Sequence, residues 1–83
     1  MRATFKPSDL HHACGVTIHD ATDADNGLIH AVISLSRNMF QNAHAYMQGN
    51  QEDWRFVEVW GDTDSQGEEC AQWLAAELDG KSA

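Results

Sequence analysis

The side chains best suited to chemistry lie near the start of the chain, where three histidines accompany a cysteine: His11, His12, Cys14 and His19. Imidazole and thiolate ligands together are what zinc prefers, and four of them would complete a tetrahedral site. Adjacent histidines rarely point at one ion, however, and no second Cys-x-x-Cys pair closes the set. We therefore expect Cys14 to be a small buried residue, with a His/Cys metal-binding domain as the alternative.

Other catalytic patterns are absent from the sequence. It contains no glycine-rich phosphate loop, no nucleophile elbow and no His-Glu-x-x-His helix. A thiol–imidazole pair at Cys14 is the catalytic alternative, and the core position is the preferred interpretation. We expect a protein that is not an enzyme and needs no cofactor.

Carboxylates dominate the surface chemistry, since Asp and Glu outnumber Lys and Arg 13 to 5 and the formal net charge is −8. A smaller cluster, Asp20, Asp23 and Asp25, lacks the ligand series of a calcium loop. This charge disfavours direct contact with nucleic acid or an anionic membrane and favours a basic protein partner. The main acidic band comprises Glu52, Asp53, Glu58, Asp62, Asp64, Glu68 and Glu69.

The elements that position these residues begin with Leu28–Gln48, whose residues sort onto two faces at about 100° per residue, as in one long amphipathic helix. Gly49 and Asn50 would end this helix. Its outer face carries no carboxylate, and it is a candidate contact surface as well as an ordinary solvated helix face. The outer-face residues that form this stripe are His30, Arg37, Gln41 and His44.

Three further segments complete the predicted fold. Ala3–Phe5 and Gly15–Asp20 suggest short strands, and Trp54–Trp60 alternates as the clearest strand of the chain. A capping box at Ser65–Glu68 would open a C-terminal helix that ends near Gly80. The prediction is one α/β (α+β) domain over residues 1–83, with a two- or three-stranded sheet and the order β(β)-α-β-α.

The strand Trp54–Trp60 is apolar on both faces, whereas two helices packed side by side cover only one face of a small sheet. Either the last helix crosses to the other face, or a second molecule covers it. We favour a second molecule and a homodimer, because Trp54, Phe56 and Trp60 would suit an interface anchor.

These observations predict a small acidic protein-binding module that presents the acidic band to a basic, nucleic-acid-binding partner. Compactness, acidity and the lack of catalytic motifs are typical of phage- or plasmid-encoded inhibitors of this kind, which is an analogy of composition. A purely structural homodimeric protein is a further alternative. The first residues carry two positive charges without a following apolar run, so we expect a cytoplasmic protein without a secretory signal.

Overall fold

The computed structural model describes residues 1–81 and shows an α+β fold with the element order β-β-α-β-β-α. A single 3-10 turn, Asp23–Asp25, leads into the first helix. Neither helix combines the length and apolar character needed to cross a bilayer, so the described residues include no candidate membrane span. The elements are β1 Arg2–Lys6, β2 Gly15–His19, α1 Asn26–Met39, β3 Ala43–Gln51, β4 Trp54–Gly61 and α2 Asp64–Leu78.

The four strands form one antiparallel sheet in the order β1-β2-β4-β3. Both β2 and β3 run antiparallel to β4, which lies between them. The connection from β2 to β3 therefore passes over β4, and α1 makes that crossing. The α+β class is confirmed, and the sheet has four strands rather than the two or three predicted.

Both helices pack on the same face of the sheet, where they form the hydrophobic core. Alternate residues of β2 and β4, such as Val16, Ile18 and Val57, are fully buried there. Helix α1 contributes Ile29 and helix α2 contributes Leu74 to the same cluster. The last helix therefore does not cross to the other side of the sheet, and that side is left open.

The prediction of one helix over Leu28–Gln48 is wrong beyond Met39. Helix α1 ends there, with the Phe40 N–H bonded to the Ser36 carbonyl at 2.8 Å, and a turn at Gln41 and Asn42 leads into β3. Phe40 packs against Trp73 of α2, with 5.8 Å between ring centroids. Tertiary pairing has overridden helical periodicity here, because β3 completes the hydrogen bonds of β4.

The β3–β4 hairpin explains why Ala43–Gln51 is a strand. Ala45 is buried on the core side while Tyr46 lies on the opposite side, which is the two-residue alternation of a strand. Gly49 lies within β3, beside a bulge after Met47, and does not end a helix. The chain reverses at Glu52, whose φ of 32° is in the left-handed region.

The C-terminal helix is confirmed, but its start differs from the prediction. Thr63 is the N-cap, and its hydroxyl accepts a hydrogen bond from the Gln66 N–H at 3.2 Å. The predicted capping box at Ser65–Glu68 is therefore wrong by two residues, since Ser65 already lies inside α2. A second cap forms at Thr22, because the Asp25 carboxylate accepts from the Thr22 N–H at 2.8 Å. It caps the 3-10 turn that precedes α1.

Arg55 is fully buried on the core side of β4 and joins the hairpin turn to the start of α1. Its guanidinium donates to the carbonyls of Gln51, Glu52 and Trp54 and to the Asn26 side chain, at 2.7–3.2 Å. It also donates to Asp23 at 3.2 Å. The alternation of β4 puts Arg55 on the same side of the strand as Val57, but nothing in that pattern indicates these hydrogen bonds.

Candidate functional site

The open face of the sheet is the side that no described residue of the helices covers. Its centre is aromatic, and the sequence-predicted interface residues Trp54, Phe56 and Trp60 lie there together. Trp60 is 55% exposed, the greatest exposure of any large apolar side chain on the sheet. The open face consists of Arg2, Thr4, Lys6, Thr17, His19, His44, Tyr46, Gln51, Trp54, Phe56, Glu58 and Trp60, with Gly15 and Gly49 between them.

Two glycines let the aromatic rings lie close to the sheet. The rings of Trp54 and Phe56 are almost parallel, with an interplanar angle of 9° and 6.3 Å between centroids. A Cβ on Gly15 would overlap the Phe56 ring and the Val57 carbonyl oxygen, and one on Gly49 would lie 3.1 Å from the Trp54 ring. The two glycines therefore allow the rings to lie against the sheet rather than protrude from it.

A hydrogen-bond network holds the other aromatic residues of the open face in place. Glu58 accepts from the Tyr46 hydroxyl at 2.6 Å and from the Trp60 indole N–H. The Glu58 carboxylate thereby raises the pKa of the Tyr46 hydroxyl. Both bonds end on Oε1 of the carboxylate, which leaves Oε2 to accept from a cation outside the described chain. His44 lies beside Tyr46, with 5.9 Å between ring centroids.

The open face is poor in negative charge, although the chain as a whole is strongly acidic. Glu58 is the single carboxylate among the open-face residues, whereas Arg2 and Lys6 supply two cations from β1. The Lys6 ammonium lies 5.9 Å from the centroid of the Phe56 ring, a cation–π distance. With neutral histidines the face therefore carries a formal charge of about +1.

The predicted acidic band is divided by the fold into two separate poles. Strand β4 lies between them, and its eight residues span about 26 Å at ~3.3 Å per residue. The hairpin pole joins two sequence segments and contains Asp20, Asp23, Asp25, Glu52 and Asp53, whereas the loop pole contains Asp62, Asp64, Glu68 and Glu69.

Members of the poles differ in how free they are to bind. Glu68 accepts from the Ser8 N–H at 3.1 Å and from its hydroxyl at 2.6 Å, and these bonds lower the pKa of the Glu68 carboxyl. It therefore anchors the loop before β2 to α2. The side chain of Asp23, by contrast, is 97% exposed despite its contact with Arg55. Asp20, Glu52 and Asp53 are exposed as well.

The predicted helical stripe does not exist as one surface. His30 and Arg37 are exposed on α1, but Gln41 lies in the turn and His44 lies on the open face. The stripe was inferred from a helix that continued past Met39, and the start of β3 sends its last member to the opposite side of the sheet. Exposed apolar side chains remain on α1 instead, at Leu28, Leu35 and Met39.

The predicted metal ligands are not brought together. Cys14 is buried and donates to the Val59 carbonyl at 3.5 Å, while His19 lies at the far end of β2. Burial, together with the charge of the nearby Glu68, raises the pKa of the Cys14 thiol to about 11. Within residues 1–81, no group of three or more His, Cys, Asp or Glu side chains is arranged to hold an ion. Cys14 and Cys70 are both free thiols.

His11 and His12 lie in the exposed loop between β1 and β2, which borders a shallow cavity of about 210 Å³. Asp9 accepts from the N–H groups of both histidines at 2.7–2.8 Å. The His11 N–H lowers the pKa of the Asp9 carboxyl, and the His12 N–H acts in the same direction. The loop is thus organised by its own hydrogen bonds, and Cys14 lies at its inner end.

Sequence reasoning missed Arg2, Lys6, Thr17 and Tyr46 as residues of the same surface. The alternation of residues in Ala43–Met47 is the sequence signal that could have placed Tyr46 on the open face. Arg2 and Lys6 could be placed there only from the pairing of β1 with β2. No family model, no curated protein and no solved structure matches this chain.

Proposed function

We propose that this chain is a small non-enzymatic protein-binding module whose two acidic poles engage a basic protein. The partner class is a protein with a cationic surface of the kind that contacts nucleic-acid phosphates, and binding would block that surface as an inhibitor does. The observation that carries the proposal is the hairpin pole, where two distant segments of the sequence bring five carboxylates to one end of the sheet.

The nearby cation, Arg55, does not pair with the exposed carboxylates at the tip of this pole. Arg55 is fully buried, and its guanidinium donates hydrogen bonds to main-chain carbonyls, to the Asn26 amide oxygen and to Asp23. Asp20, Glu52 and Asp53 remain exposed and make no ion pair in the described part of the chain. Their field therefore reaches solvent without local neutralisation, which favours long-range attraction of a basic partner.

The arrangement of the poles sets the size of the partner surface. Carboxylates at both ends of a sheet about 26 Å long could contact two groups of cations on one partner. Interactions of this kind mainly raise the association rate, by 10-fold to 1,000-fold at low salt. The absence of a reactive thiol at Cys14, whose pKa is raised, supports a binding role over thiol catalysis.

The experiment uses three baits: the wild-type protein, a pole variant with Asp20→Asn, Glu52→Gln and Asp53→Asn, and a matched control. The control, with Gln72→Lys, Glu77→Gln and Ala31→Lys, changes the net charge by the same three units at helix residues outside both poles. Each bait is incubated with extract of the native cell at about 50 mM and 300 mM salt, and a captured protein is then purified and titrated.

The proposal predicts a basic protein that binds the wild type and the control but is lost by the pole variant. Its affinity for the wild type should fall at least 10-fold between the two salt concentrations, because the Debye length shortens. A partner that binds the pole variant as tightly as the wild type would contradict the role of the hairpin pole.

A further inference from the structure

The open face of the sheet lacks a covering layer in the described chain, and its chemistry differs from that of the remaining surface. It combines four aromatic rings, one carboxylate and two cations. From this composition we infer that the open face binds a second copy of the same chain, which gives a symmetric homodimer. The inference is independent of the proposed function, because the acidic poles lie at the strand ends, outside the contact area of such a dimer.

Charge is the first argument for a second copy. Two molecules of net charge −8 repel each other, so they can associate only through surfaces that bring few carboxylates together. The open face satisfies this condition, with Arg2 and Lys6 set against the single carboxylate of Glu58. A cationic partner would instead face two like charges here, and a single strand of nucleic acid would approach between two acidic poles.

The distribution of charge across the strands is self-complementary. The cations lie on β1 at one edge of the sheet, whereas Glu58 and Tyr46 lie on β4 and β3 towards the other edge. An isologous contact with its two-fold axis along the strands places β1 of one copy opposite β3 of the other. Lys6 of each copy then lies near Tyr46 and Glu58 of the other copy, because these residues share one row of the register, whereas Arg2 lies at the row of Trp54 and Gln51.

The aromatic residues supply the apolar centre that such an interface needs. Trp60 is 55% exposed, and Trp is the residue type most enriched among the anchors of protein interfaces. Trp54 and Phe56 form the stacked pair beside it. Burial of these rings between two sheets packed about 10 Å apart resembles the core of a β-sandwich.

The extent of the face predicts a weak dimer. Four strands spaced about 4.8 Å apart, with paired segments of about six residues, give a flat area of roughly 400 Å² per copy. Standard interfaces bury about 800 Å² per partner. The side chains of Trp60 and Tyr46 project from the sheet, so the contact area is larger than that of a flat face. We expect a dissociation constant in the micromolar range.

Sedimentation velocity from about 1 µM to 1 mM, at 0.1 M and 1 M NaCl, tests the inference with two variants of equal charge change. Thr17→Glu adds a carboxylate at the centre of the open face. Leu35→Glu adds one to the exposed apolar residues of α1, which is the rival dimer surface. Circular dichroism confirms that each variant is folded, and Trp60→Ala provides a change that adds no charge.

The expected result is a wild-type dimer that tightens in 1 M NaCl, weakens at least 10-fold in Thr17→Glu and Trp60→Ala, and persists in Leu35→Glu. A wild-type protein that stays monomeric up to 1 mM at both salt concentrations would overturn the inference. So would a dimer lost only in Leu35→Glu, which would place the contact on α1. A monomer whose tryptophan fluorescence is quenched by a thymidine oligonucleotide would overturn it in favour of a nucleic-acid ligand.

Discussion

Replacement of Arg55 by Met is expected to destabilise the protein by about 3 kcal/mol. The guanidinium makes five hydrogen bonds, three of them to main-chain carbonyls at the hairpin turn. Loss of one member of a buried charged network costs about 3–5 kcal/mol. The lower value applies here because Gln51 and Glu52 are exposed, so water can reach their carbonyls after the change.

Urea unfolding followed by tryptophan fluorescence measures this effect. At about 1–1.5 kcal/mol per molar urea for a domain of this size, the midpoint should fall by roughly 2–3 M. Measurement at about 1 µM protein keeps dimer dissociation out of the transition. Arg37→Met is the matched control, because Arg37 is exposed and makes only a 3.5 Å contact with the Ala45 carbonyl. It should cost less than about 0.5 kcal/mol.

Asp23→Asn separates the ion pair from the other bonds of Arg55. The amide oxygen keeps the acceptor while the charge is lost, and the side chain of Asp23 is 97% exposed. We therefore expect a change below about 1 kcal/mol. A variant Arg55→Met within 1 kcal/mol of the wild type would refute the view that the buried network stabilises the hairpin end. An Asp23→Asn loss as large as that of Arg55→Met would instead assign the stability to the ion pair.

Three further expectations concern glycine, thiol and carboxyl groups. Gly15→Ala should destabilise the protein by about 1–3 kcal/mol in urea unfolding, because the added Cβ overlaps the neighbouring strand. Gly27→Ala should stabilise it by about 0.5–1 kcal/mol, because the added Cβ meets no atom within 4 Å and alanine favours the helix. Cys14, with its pKa raised to about 11, should hold roughly 100-fold less thiolate at pH 8 than an ordinary thiol, so a disulfide reagent should label it only after unfolding. The pKa of Glu68 is lowered, so its bonds to Ser8 stabilise the fold above the unfolded-state pKa of the carboxyl and are lost as pH falls through the folded value. Ser8→Ala should therefore reduce the fall in melting temperature between pH 5 and pH 3, and an unchanged acid dependence would contradict that role of Glu68.

Local alternation predicts β4 well because its two faces differ in environment. Val57 and Val59 enter the core, while Trp54, Phe56 and Trp60 lie on the open face, as the sequence pattern indicates. The uncovered face could also be anticipated, because two helices cannot enclose a small sheet. These features depend on residues near one another in the chain.

The boundary between α1 and β3 could not be predicted in the same way. Alanine, methionine and glutamine over Ala43–Gln48 favour a helix intrinsically, and only pairing with β4 makes a strand preferable. The division of the acidic band follows from the same topology, because β4 separates residues that are close in sequence. The assembly of the hairpin pole requires the contact of Ala21 with Asp53, whose carbonyl accepts from the Ala21 N–H at 2.8 Å.

Salt should affect the two proposed surfaces in opposite directions, and this difference separates them. Two copies of charge −8 whose centres lie about 20 Å apart, close to the 17 Å thickness of the molecule, repel by roughly 13 kcal/mol as unscreened charges in water. With a Debye length of about 10 Å at 0.1 M, the repulsion falls to about 2 kcal/mol, and at 1 M it is negligible. The dimer should therefore tighten about 20-fold between these salt concentrations, whereas attraction of a basic partner to the poles should weaken over the same range. If both associations weakened with salt, attraction between opposite charges rather than the aromatic centre would dominate the contact between copies, and the proposed aromatic interface would be refuted.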